Sequence, residues 1–330
     1  MSEIAVSISC LVYNHENYLR RCLDGFLSQK TNFAFEILIH DDASTDSSAD
    51  IIREYEAKYP DIVKPIYQTE NQYSKKVNMH FTYQYPRARG KYFCVCEGDD
   101  YWCDDTKLQK QFDVMEAHPE VALCVHRVQT INEAGEPRAE TLPSYPLETG
   151  LIPGRELVTA LLGGQTMPFQ MSSYCYRTAH YQHLDPIPAF MSIAVAGDMA
   201  RVLYLADLGD VYFIDETMSC YRVNSVGSWS SRTNRDVAYK SFCLNNLIEL
   251  YRLYDEHTDG RYRDSIENII EVRTFSLLKN EFRIKEMRSA RFKARFKAMP
   301  FAERMCYRVA GILPFTKPLV RRLRERMRSL

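Results

Sequence analysis

The first half of the chain alternates short apolar runs with segments whose apolar residues recur at helical spacing. The runs at Ile4–Val12, 35–40, 62–67 and 92–96 read as strands, because strands buried on both faces of a sheet are short and continuously apolar. The helical segments between them are typical of crossover connections. We therefore predict an α/β fold with a mostly parallel central sheet flanked by helices.

In the rest of the chain, predicted strands and helices alternate up to about residue 232, and the predicted elements after that point are helices. A further helix is predicted at the segment that ends near Gly90. The later predicted helices are 107–118, 154–162 and 198–206, and the later predicted strands are 121–126, 170–176, 211–214 and 217–223, with a proline-bearing loop over 132–153. Beyond residue 236 the pattern is helical, with breaks at Gly260, Pro300, Pro314 and Pro318. We predict one domain over residues 1–232 and a helical C-terminal extension over 233–330.

Cysteine use and hydropathy bear on where the protein works. The ten cysteines are scattered, without a Cys-x-x-Cys pair, and the amino end does not resemble a signal peptide. This favours reduced thiols and a cytoplasmic protein. No run approaches the ~18 apolar residues that a membrane span needs.

Basic residues are concentrated at the carboxyl end. Of the 42 Lys and Arg and 43 Asp and Glu in the chain, residues 283–330 hold 15 and 3. Phe292, Phe296 and Met299 fall on one helical face among basic residues. Such a helix suits an anionic membrane, which predicts a peripheral position on the inner face of the cell membrane. The alternative is that this face packs on the acidic body of the chain. Nucleic acid is disfavoured, because no base-stacking or groove-reading motif accompanies the charge.

Adjacent carboxylates follow the apolar run at 92–96. Gly98 turns the chain, and Asp99 and Asp100 come next. Acids just past the carboxyl end of a strand lie where open α/β sheets bind ligands. Mn²⁺ and Mg²⁺ prefer oxygen ligands and share them with substrate phosphates, so the pair is a candidate metal–diphosphate site. A helix-capping turn with solvated acids is the alternative.

Four stretches together resemble the family 2 glycosyltransferases, which have the GT-A fold. They are residues 12–15 (Val-Tyr-Asn-His), 41–46 (Asp-Asp-Ala-Ser-Thr-Asp), 97–102 (Glu-Gly-Asp-Asp-Tyr-Trp) and 197–198 (Gly-Asp). Each motif is weak alone, but their order and spacing make the set specific. The resemblance covers about residues 4–230 and implies a nucleotide-binding half over 1–130 and an acceptor half over 131–232.

The resemblance implies that the ends of the first two strands bind the nucleotide. Asp42 would contact the base or ribose, with Asp41 beside it, and Tyr13 would stack on the base. Asn14 and Glu16 would line the same pocket. A plain helix cap at Asp42 and simple packing of Tyr13 on the sheet are the alternatives.

The resemblance assigns the chemistry to the later acids. Asp99 would hold the sugar or ribose and lie beside the metal, and Asp100 would bind the Mn²⁺ or Mg²⁺ that bridges the two phosphates. Asp198 would take the proton of the acceptor hydroxyl, because a base must lie across the sugar from the leaving diphosphate. One base and no second nucleophile fit a single displacement that inverts the anomeric carbon. A helix cap is the alternative for Asp198.

One stretch departs from the family pattern. Many members carry Tyr-Arg-x-His after the last sheet strand, whereas residues 221–224 read Tyr-Arg-Val-Asn. Asn224 has no titratable nitrogen, which puts a third protein ligand of the metal in doubt. Arg222 is a candidate to pair with the diphosphate, and Trp229 to close over the donor in a loop that orders on binding. A surface loop without such a role is the alternative.

We therefore expect a metal-dependent, inverting glycosyltransferase. Its donor would be a nucleotide sugar, with UDP favoured, and its acceptor a glycan or lipid-linked oligosaccharide of a surface polysaccharide or lipopolysaccharide. The alternative is a catalytically silent nucleotide-sugar-binding scaffold of a glycan-assembly complex, which Asn224 slightly favours and Asp198 disfavours. A nucleotidyltransferase would need a Gly-rich basic loop after the first strand, and residues 13–16 are not one.

Overall fold

The chain divides into a unit built around a sheet and a unit built of helices, in a computed structural model that describes residues 3–195, 197–223, 236–317 and 319–320. The first unit comprises residues 1–161, 165–192 and 196–231. The second comprises residues 162–164, 193–195 and 232–330.

The strands of the described residues form one mixed sheet. They are β1 (Ile4–Val12), β2 (Ala34–Asp41), β3 (Val63–Tyr67), β4 (Tyr92–Val95), β5 (Tyr101–Trp102), β6 (Val121–Ile131), β7 (Pro137–Leu142), β8 (Gly150–Ile152), β9 (Cys175–Arg177) and β10 (Asp210–Arg222). Their order is β3-β2-β1-β4-β9-β6-β10-β5, with β7 on β6 and β8 on β10. β1 to β4 are parallel, as are β6 and β10, while β9 runs antiparallel between β4 and β6. The carboxyl ends of β2, β1 and β4 therefore lie side by side.

Helices connect the strands and form the second unit. Those interleaved with the strands are α1 (Leu19–Leu27), α2 (Ser48–Lys58), α3 (Lys107–Ala117), α4 (Gly154–Leu162), α5 (Ala179–Gln182), α6 (Ala189–Ser192) and α7 (Gly197–Leu208). Those after residue 236 are α8 (Val237–His257), α9 (Arg263–Glu281), α10 (Ile284–Met287), α11 (Lys293–Ala298) and α12 (Phe301–Ile312). The predicted break at Gly260 is confirmed, because its φ of +75° lies outside the range of a helix.

The first strand is buried on both faces, which explains why its sequence is rich in apolar residues and carries no charge. Its apolar residues Val6, Ile8 and Cys10 belong to the main core of the first unit. Ser7 and Ser9, on the other face, have no exposed surface either. A strand covered on both sides is typical of the interior of a parallel sheet.

Gly90 sets the distance between β4 and β1. A Cβ atom at this position would lie 2.4 Å from the backbone nitrogen of Ser7 and 2.5 Å from the carbonyl carbon of Val6. The Gly90 N–H also donates to the Ser7 hydroxyl at 2.9 Å. Only glycine allows this approach, and it aligns the start of β4 with β1 so that both strands end at the same edge.

Several predicted elements differ from the observed ones. The segment before Gly90 contains short turns, Tyr73–Lys75, His80–Gln84 and Tyr85–Arg87, instead of one helix. The predicted loop over 132–153 contains β7 and β8, and the last two predicted strands form the single bulged strand β10. β8 is a short edge strand whose partner, β10, lies far along the chain, so only tertiary pairing reveals it, whereas β7 pairs with the preceding strand β6 across a short turn inside the predicted loop.

The predicted membrane-facing side chains of the basic tail are buried. Phe292, Phe296 and Met299 are at most 8% exposed and belong to the apolar core of the second unit with Phe275 and Tyr307. The prediction that these three residues face a membrane is therefore wrong. Periodicity alone shows that a face is apolar, but it does not show which surface covers that face. None of the described helices combines the length and the apolar character needed to cross a bilayer.

Candidate functional site

Three loops meet where β2, β1 and β4 end. Adjacent strands in a sheet lie about 5 Å apart, so loops at neighbouring carboxyl ends come into contact. The backbone N–H of Asn14, after β1, donates to the Ser44 hydroxyl, after β2, at 3.0 Å. On the other side, the Gly98 N–H donates to the Leu11 carbonyl at 3.0 Å. The sheet thus brings together three of the four motifs that carry the resemblance.

Asn14 and Glu16 fasten the loop after β2. The Asn14 side-chain oxygen accepts from the Thr45 N–H at 2.8 Å, and the Glu16 carboxylate accepts from the Ser47 N–H at 2.9 Å. Neighbouring Tyr13 is 45% exposed at this edge. The predicted nucleotide contacts of these three residues remain predictions. The structure gives Asn14 and Glu16 a structural role, and it leaves the Tyr13 ring accessible.

Asp42 holds the loop that follows β3. Its two carboxylate oxygens accept from the backbone N–H groups of Gln72 at 2.6 Å and Tyr73 at 3.0 Å. The Asn71 amide donates to the Asp42 carbonyl at 3.1 Å. The sequence reasoning missed this loop. A polar run at the end of a strand next to the site was the available signal.

The carboxylate of Asp41 has fewer hydrogen-bond partners than that of Asp42. It is 2% exposed, and among the described residues its Oδ1 has no hydrogen-bond partner. Its Oδ2 accepts only a long 3.4 Å bond from the Ser44 N–H. Burial raises the pKa of Asp41 above its usual value, against hydrogen bonds from Ser44. A buried acceptor without a partner costs free energy unless a ligand or water satisfies it.

Asp100 is fixed from two sides. It is 2% exposed, its Oδ1 accepts from the Arg222 backbone N–H at 2.8 Å, and its Oδ2 accepts from the Gln170 side chain at 3.0 Å. Burial and then the charge of Asp99 raise the pKa of Asp100 well above its usual value. Gln170 is a second residue that the sequence reasoning missed, since nothing in its sequence context marks it.

Arg222 lies beside this loop but uses its guanidinium on the backbone. Nε donates to the Asp99 carbonyl at 3.0 Å, and Nη1 donates to the carbonyls of Asn132 and Glu133 at 2.9 and 2.6 Å. The guanidinium also lies 4.1 Å from the centre of the Tyr18 ring. Arg222 is 4% exposed. It supports the acid loop, and its predicted pairing with a diphosphate remains a prediction.

Glu97 and Asp198 interact across the site. Desolvation by the surrounding protein, followed by the charges of Asp99 and Asp198, raises the pKa of Glu97 to about 8. Glu97 is nevertheless exposed to solvent. Asp198 lies in the first turn of α7 and is partly exposed. The structure thus brings Asp198 to the acids that follow β4. The sequence reasoning quoted Glu97 in its motif but gave it no role.

A buried arginine opposes these negative charges. Arg201, one helical turn after Asp198, is 7% exposed. Burial raises the pKa of Asp198, and the positive charge of Arg201 lowers it. Arg201 is surrounded by tyrosines, including Tyr85 and Tyr176, whose hydroxyls lie 2.9 Å apart. No role was predicted for Arg201. The available signal was an arginine three residues after an acid in a mostly apolar helix.

The acids fit a divalent cation only together with further ligands. Burial, followed by the charges of neighbouring acids including Asp99, raises the pKa of Glu97 to about 8 and the pKa of Asp100 well above its usual value, so these carboxylates repel one another. A cation would relieve that repulsion. No cluster of three or more His, Cys, Asp or Glu side chains in metal-binding geometry occurs among the residues that the structure describes. Oxygen atoms of a diphosphate and water would therefore complete the coordination. Asn224 and Trp229 lie outside the described residues.

Comparisons with known proteins find a family model and relatives that match this chain. The sequence model of a family described as "Glycosyl transferase family 2" matches residues 7–179, about half of the chain. An uncharacterized protein of Mycobacterium tuberculosis is 39% identical over 228 residues, which cover 68% of this chain and 61% of that relative. An uncharacterized glycosyltransferase of Nostoc sp. is 27% identical over 235 residues, which cover 68% of this chain and 67% of that relative. The chain thus spans about three fifths of the length of the mycobacterial relative.

Two solved structures share the fold. The S. aureus TarS 1-349 complex with UDP superposes with a TM-score of 0.54 at 16% identity, covering 91% of this chain and 77% of that one. The mannosyltransferase PcManGT from Pyrobaculum calidifontis, in complex with GDP-Man and Mn²⁺, has a TM-score of 0.54 at 15% identity and covers 98% and 86%. The predicted GT-A fold is confirmed: a mixed sheet flanked by helices, with C-terminal helices.

Proposed function

Since the chain belongs to glycosyl transferase family 2, we propose that it moves a sugar from a nucleoside-diphosphate sugar to an acceptor hydroxyl with inversion. The donor is a UDP-sugar, and the acceptor is a glycan or lipid-linked oligosaccharide of a surface polysaccharide or lipopolysaccharide. One observation carries the proposal. The charge of Asp198, on α7, acts on the same Glu97 carboxyl as the charge of Asp99, so an acceptor-side base and a donor-side acid loop meet.

The relatives and structural neighbours support the chemical class of donor and acceptor. The two structures above hold UDP and GDP-Man with Mn²⁺. A poly(ribitol-phosphate) beta-glucosyltransferase of Bacillus spizizenii is 31% identical over 146 residues, which cover 43% of this chain and 22% of that relative. These names suggest nucleotide-sugar donors and cell-surface polymers. We favour UDP because the first of the two neighbours is a UDP complex.

On the donor side, Asp99 and Asp100 would hold a divalent cation that helps to bind the diphosphate. A bound Mn²⁺ or Mg²⁺ would neutralise the charge that builds up on the leaving diphosphate. The chain's own contribution is the position of the acids. The Arg222 N–H and the Gln170 amide fix both oxygens of Asp100, so its carboxylate needs no reorganisation when the donor arrives. Tyr13, with its ring accessible at the edge of the sheet, stacks on the base.

On the acceptor side, Asp198 takes the proton of the attacking hydroxyl. A carboxylate can do so only when it is deprotonated, and the positive charge of Arg201 favours that form against the effect of burial. One base on one side of the sugar and a leaving diphosphate on the other give a single displacement. That displacement inverts the anomeric carbon.

Donor binding and turnover, measured on one set of variants, test the proposal. Wild type should bind UDP more tightly with Mn²⁺ than without it and should hydrolyse or transfer a UDP-sugar. Asp100→Asn should remove the metal dependence of UDP binding. Asp198→Asn should leave UDP binding intact and lower turnover by at least about a hundredfold, as loss of a general base does. Asp61→Asn, at an exposed acid after α2, is the matched control.

Two outcomes would contradict the proposal. UDP affinity that is the same with and without Mn²⁺ in wild type would remove the metal role of Asp100. Turnover of Asp198→Asn close to wild type would remove Asp198 as the base. Tight, metal-dependent UDP-sugar binding without any hydrolysis or transfer would instead favour the silent scaffold.

A further inference from the structure

Helix α12, in the second unit, is apolar on two opposite faces. At 100° per residue, Tyr307 and Ala310 share one face, and both are fully buried in the core of this unit. The opposite face carries Phe301, Met305 and Ile312, which are 70%, 37% and 77% exposed. The inner face accounts for the folding of the helix. The outer face is covered by nothing in the described chain.

The exposed apolar residues continue past the helix and form one stripe. We call it the outer stripe; its members are Phe301, Met305, Val309, Ile312, Leu313, Phe315 and Leu319. Of the 13 large apolar side chains that are exposed among the described residues, these seven lie within 19 consecutive positions. Single exposed apolar residues are ordinary on protein surfaces, but a contiguous set marks an interaction surface.

Basic side chains flank the outer stripe. Arg308 is exposed on α12 beside Phe301 and Ile312 on the helical wheel. On the helical wheel Arg304 lies next to Arg308, on the side away from Ile312, and its guanidinium is 5.9 Å from the centre of the Phe301 ring. Lys317 follows the helix. The acid of this helix, Glu303, lies on the inward side, 3.8 Å from Lys279. The border of the stripe is therefore cationic.

We propose that the outer stripe docks on an anionic lipid surface. Its aromatic and aliphatic side chains would enter the headgroup region, and Arg304, Arg308 and Lys317 would meet lipid phosphates. A helix with an apolar stripe and a basic border lies in the plane of a bilayer interface. Each basic residue close to an anionic surface adds to the attraction. In the sequence, five further arginines follow between residues 321 and 328.

Charge argues against a second copy of the chain as the occupant. A two-fold contact through the outer stripe would place Arg304, Arg308 and Lys317 of both copies around one shared interface. Like charges that are brought together while losing water are repulsive. An anionic bilayer offers apolar depth and negative charge at once. Phe292, Phe296 and Met299, which were predicted from sequence to face a membrane, belong to the core of the second unit and are not part of this docking surface.

The proposal does not depend on catalysis. It uses described residues of the second unit alone, and it can be tested in the absence of donor and acceptor. If the acceptor is lipid-linked, as proposed above, docking would bring the enzyme to the surface that contains it.

The experiment is flotation of the full chain with lipid vesicles. Vesicles of phosphatidylcholine are compared with vesicles that also contain phosphatidylglycerol, at low and high NaCl. The test variant is Ile312→Glu with Phe315→Glu. The matched control is Leu151→Glu with Leu208→Glu, at two apolar residues of the first unit that are 46% and 49% exposed. A charge variant, Arg308→Gln with Lys317→Gln, separates the electrostatic part.

We expect wild type and the matched control to float with the phosphatidylglycerol vesicles, and salt to weaken this binding. The stripe variant should bind at least about tenfold more weakly, because two apolar side chains no longer enter the interface. The charge variant should lose affinity for the anionic vesicles only. Thermal unfolding and UDP binding should be the same in all four proteins, so a failure here is distinct from a failure of the proposed function.

Three results would overturn the proposal. The first is that wild type does not float with anionic vesicles even at low salt. The second is that the stripe variant floats as well as wild type. The third is that wild type does not bind vesicles but sediments as a dimer that the stripe variant converts to a monomer, which would show that the outer stripe contacts a second copy.

Discussion

Replacing Asp42 by asparagine tests whether its carboxylate holds the loop after β3. Both oxygens are in use, with the Gln72 N–H at 2.6 Å and the Tyr73 N–H at 3.0 Å. Asparagine has one acceptor oxygen and one NH₂ group, so one backbone N–H would face a donor. The substitution keeps the size of the side chain and removes the charge and one acceptor. It therefore isolates the hydrogen bonds from packing.

The structure sets the size of the effect. A hydrogen bond to a charged group contributes about 1.5–3 kcal/mol. Tyr73 is 58% exposed, so water can reach this loop and partly replace a lost bond. We therefore expect Asp42→Asn to cost about 2 kcal/mol, towards the lower end of that range. This corresponds to a roughly 30-fold shift in the equilibrium between the closed and the open loop.

Hydrogen exchange measures that equilibrium directly. Peptides that cover residues 70–76 should exchange about 30-fold faster in Asp42→Asn than in wild type, while peptides of β1 should not change. The melting temperature should fall little, because the loop opens locally. UDP binding should weaken as well if the nucleotide pocket needs the closed loop. Asp61→Asn, an exposed acid near the start of β3, is the control and should leave all three quantities unchanged.

One result would refute the reasoning. If Asp42→Asn leaves the exchange of residues 70–76 unchanged and still weakens UDP binding tenfold or more, then Asp42 contacts the nucleotide directly. The hydrogen bonds to Gln72 and Tyr73 would then contribute little to the order of the loop.

Two further predictions concern the frame of the site and its pH dependence. Gly90→Ala should destabilise the fold by about 3 kcal/mol in urea unfolding, because its Cβ would meet backbone that cannot move. The control Gly197→Ala should cost little stability, because a Cβ at that position meets nothing within 4 Å. Equal losses of stability in the two variants would contradict the close approach of Gly90 to β1. Arg201→Gln should move the acid limb of the kcat/KM profile to higher pH, since Asp198 must be deprotonated to act and loses the nearby positive charge that lowers its pKa. Arg201→Lys keeps the positive charge and should shift the acid limb less than Arg201→Gln does. Arg53→Gln, on the exposed surface, should cause no shift. An unmoved acid limb in Arg201→Gln would show that Arg201 does not act on the base.

Much of the fold and the outline of the site could be predicted from the sequence. The apolar-rich runs located β1 to β4 within one or two residues, because strands in the interior of a parallel sheet are rich in apolar residues. The acids after β4 were found because they follow a buried strand, so local pattern was sufficient for them. Asp198, at the start of α7, was identified through the resemblance to the family.

The partners of the site residues could not be predicted. Asn14 accepts from Thr45, Asp42 from Gln72 and Tyr73, and Asp100 from the backbone of Arg222, more than 120 positions away. The residue types suggest a ligand site, but they do not show which oxygens the protein itself already uses.

The sequence by itself determined the first four strands, the order of the acids and the presence of apolar faces among basic residues in the tail. Only the tertiary structure decided that Phe292, Phe296 and Met299 turn inward while Phe301 and Ile312 turn outward. Both sets recur at helical spacing among basic residues, so their patterns are alike. Burial is a property of what packs against a face, and the helices that cover the first set come from other parts of the chain.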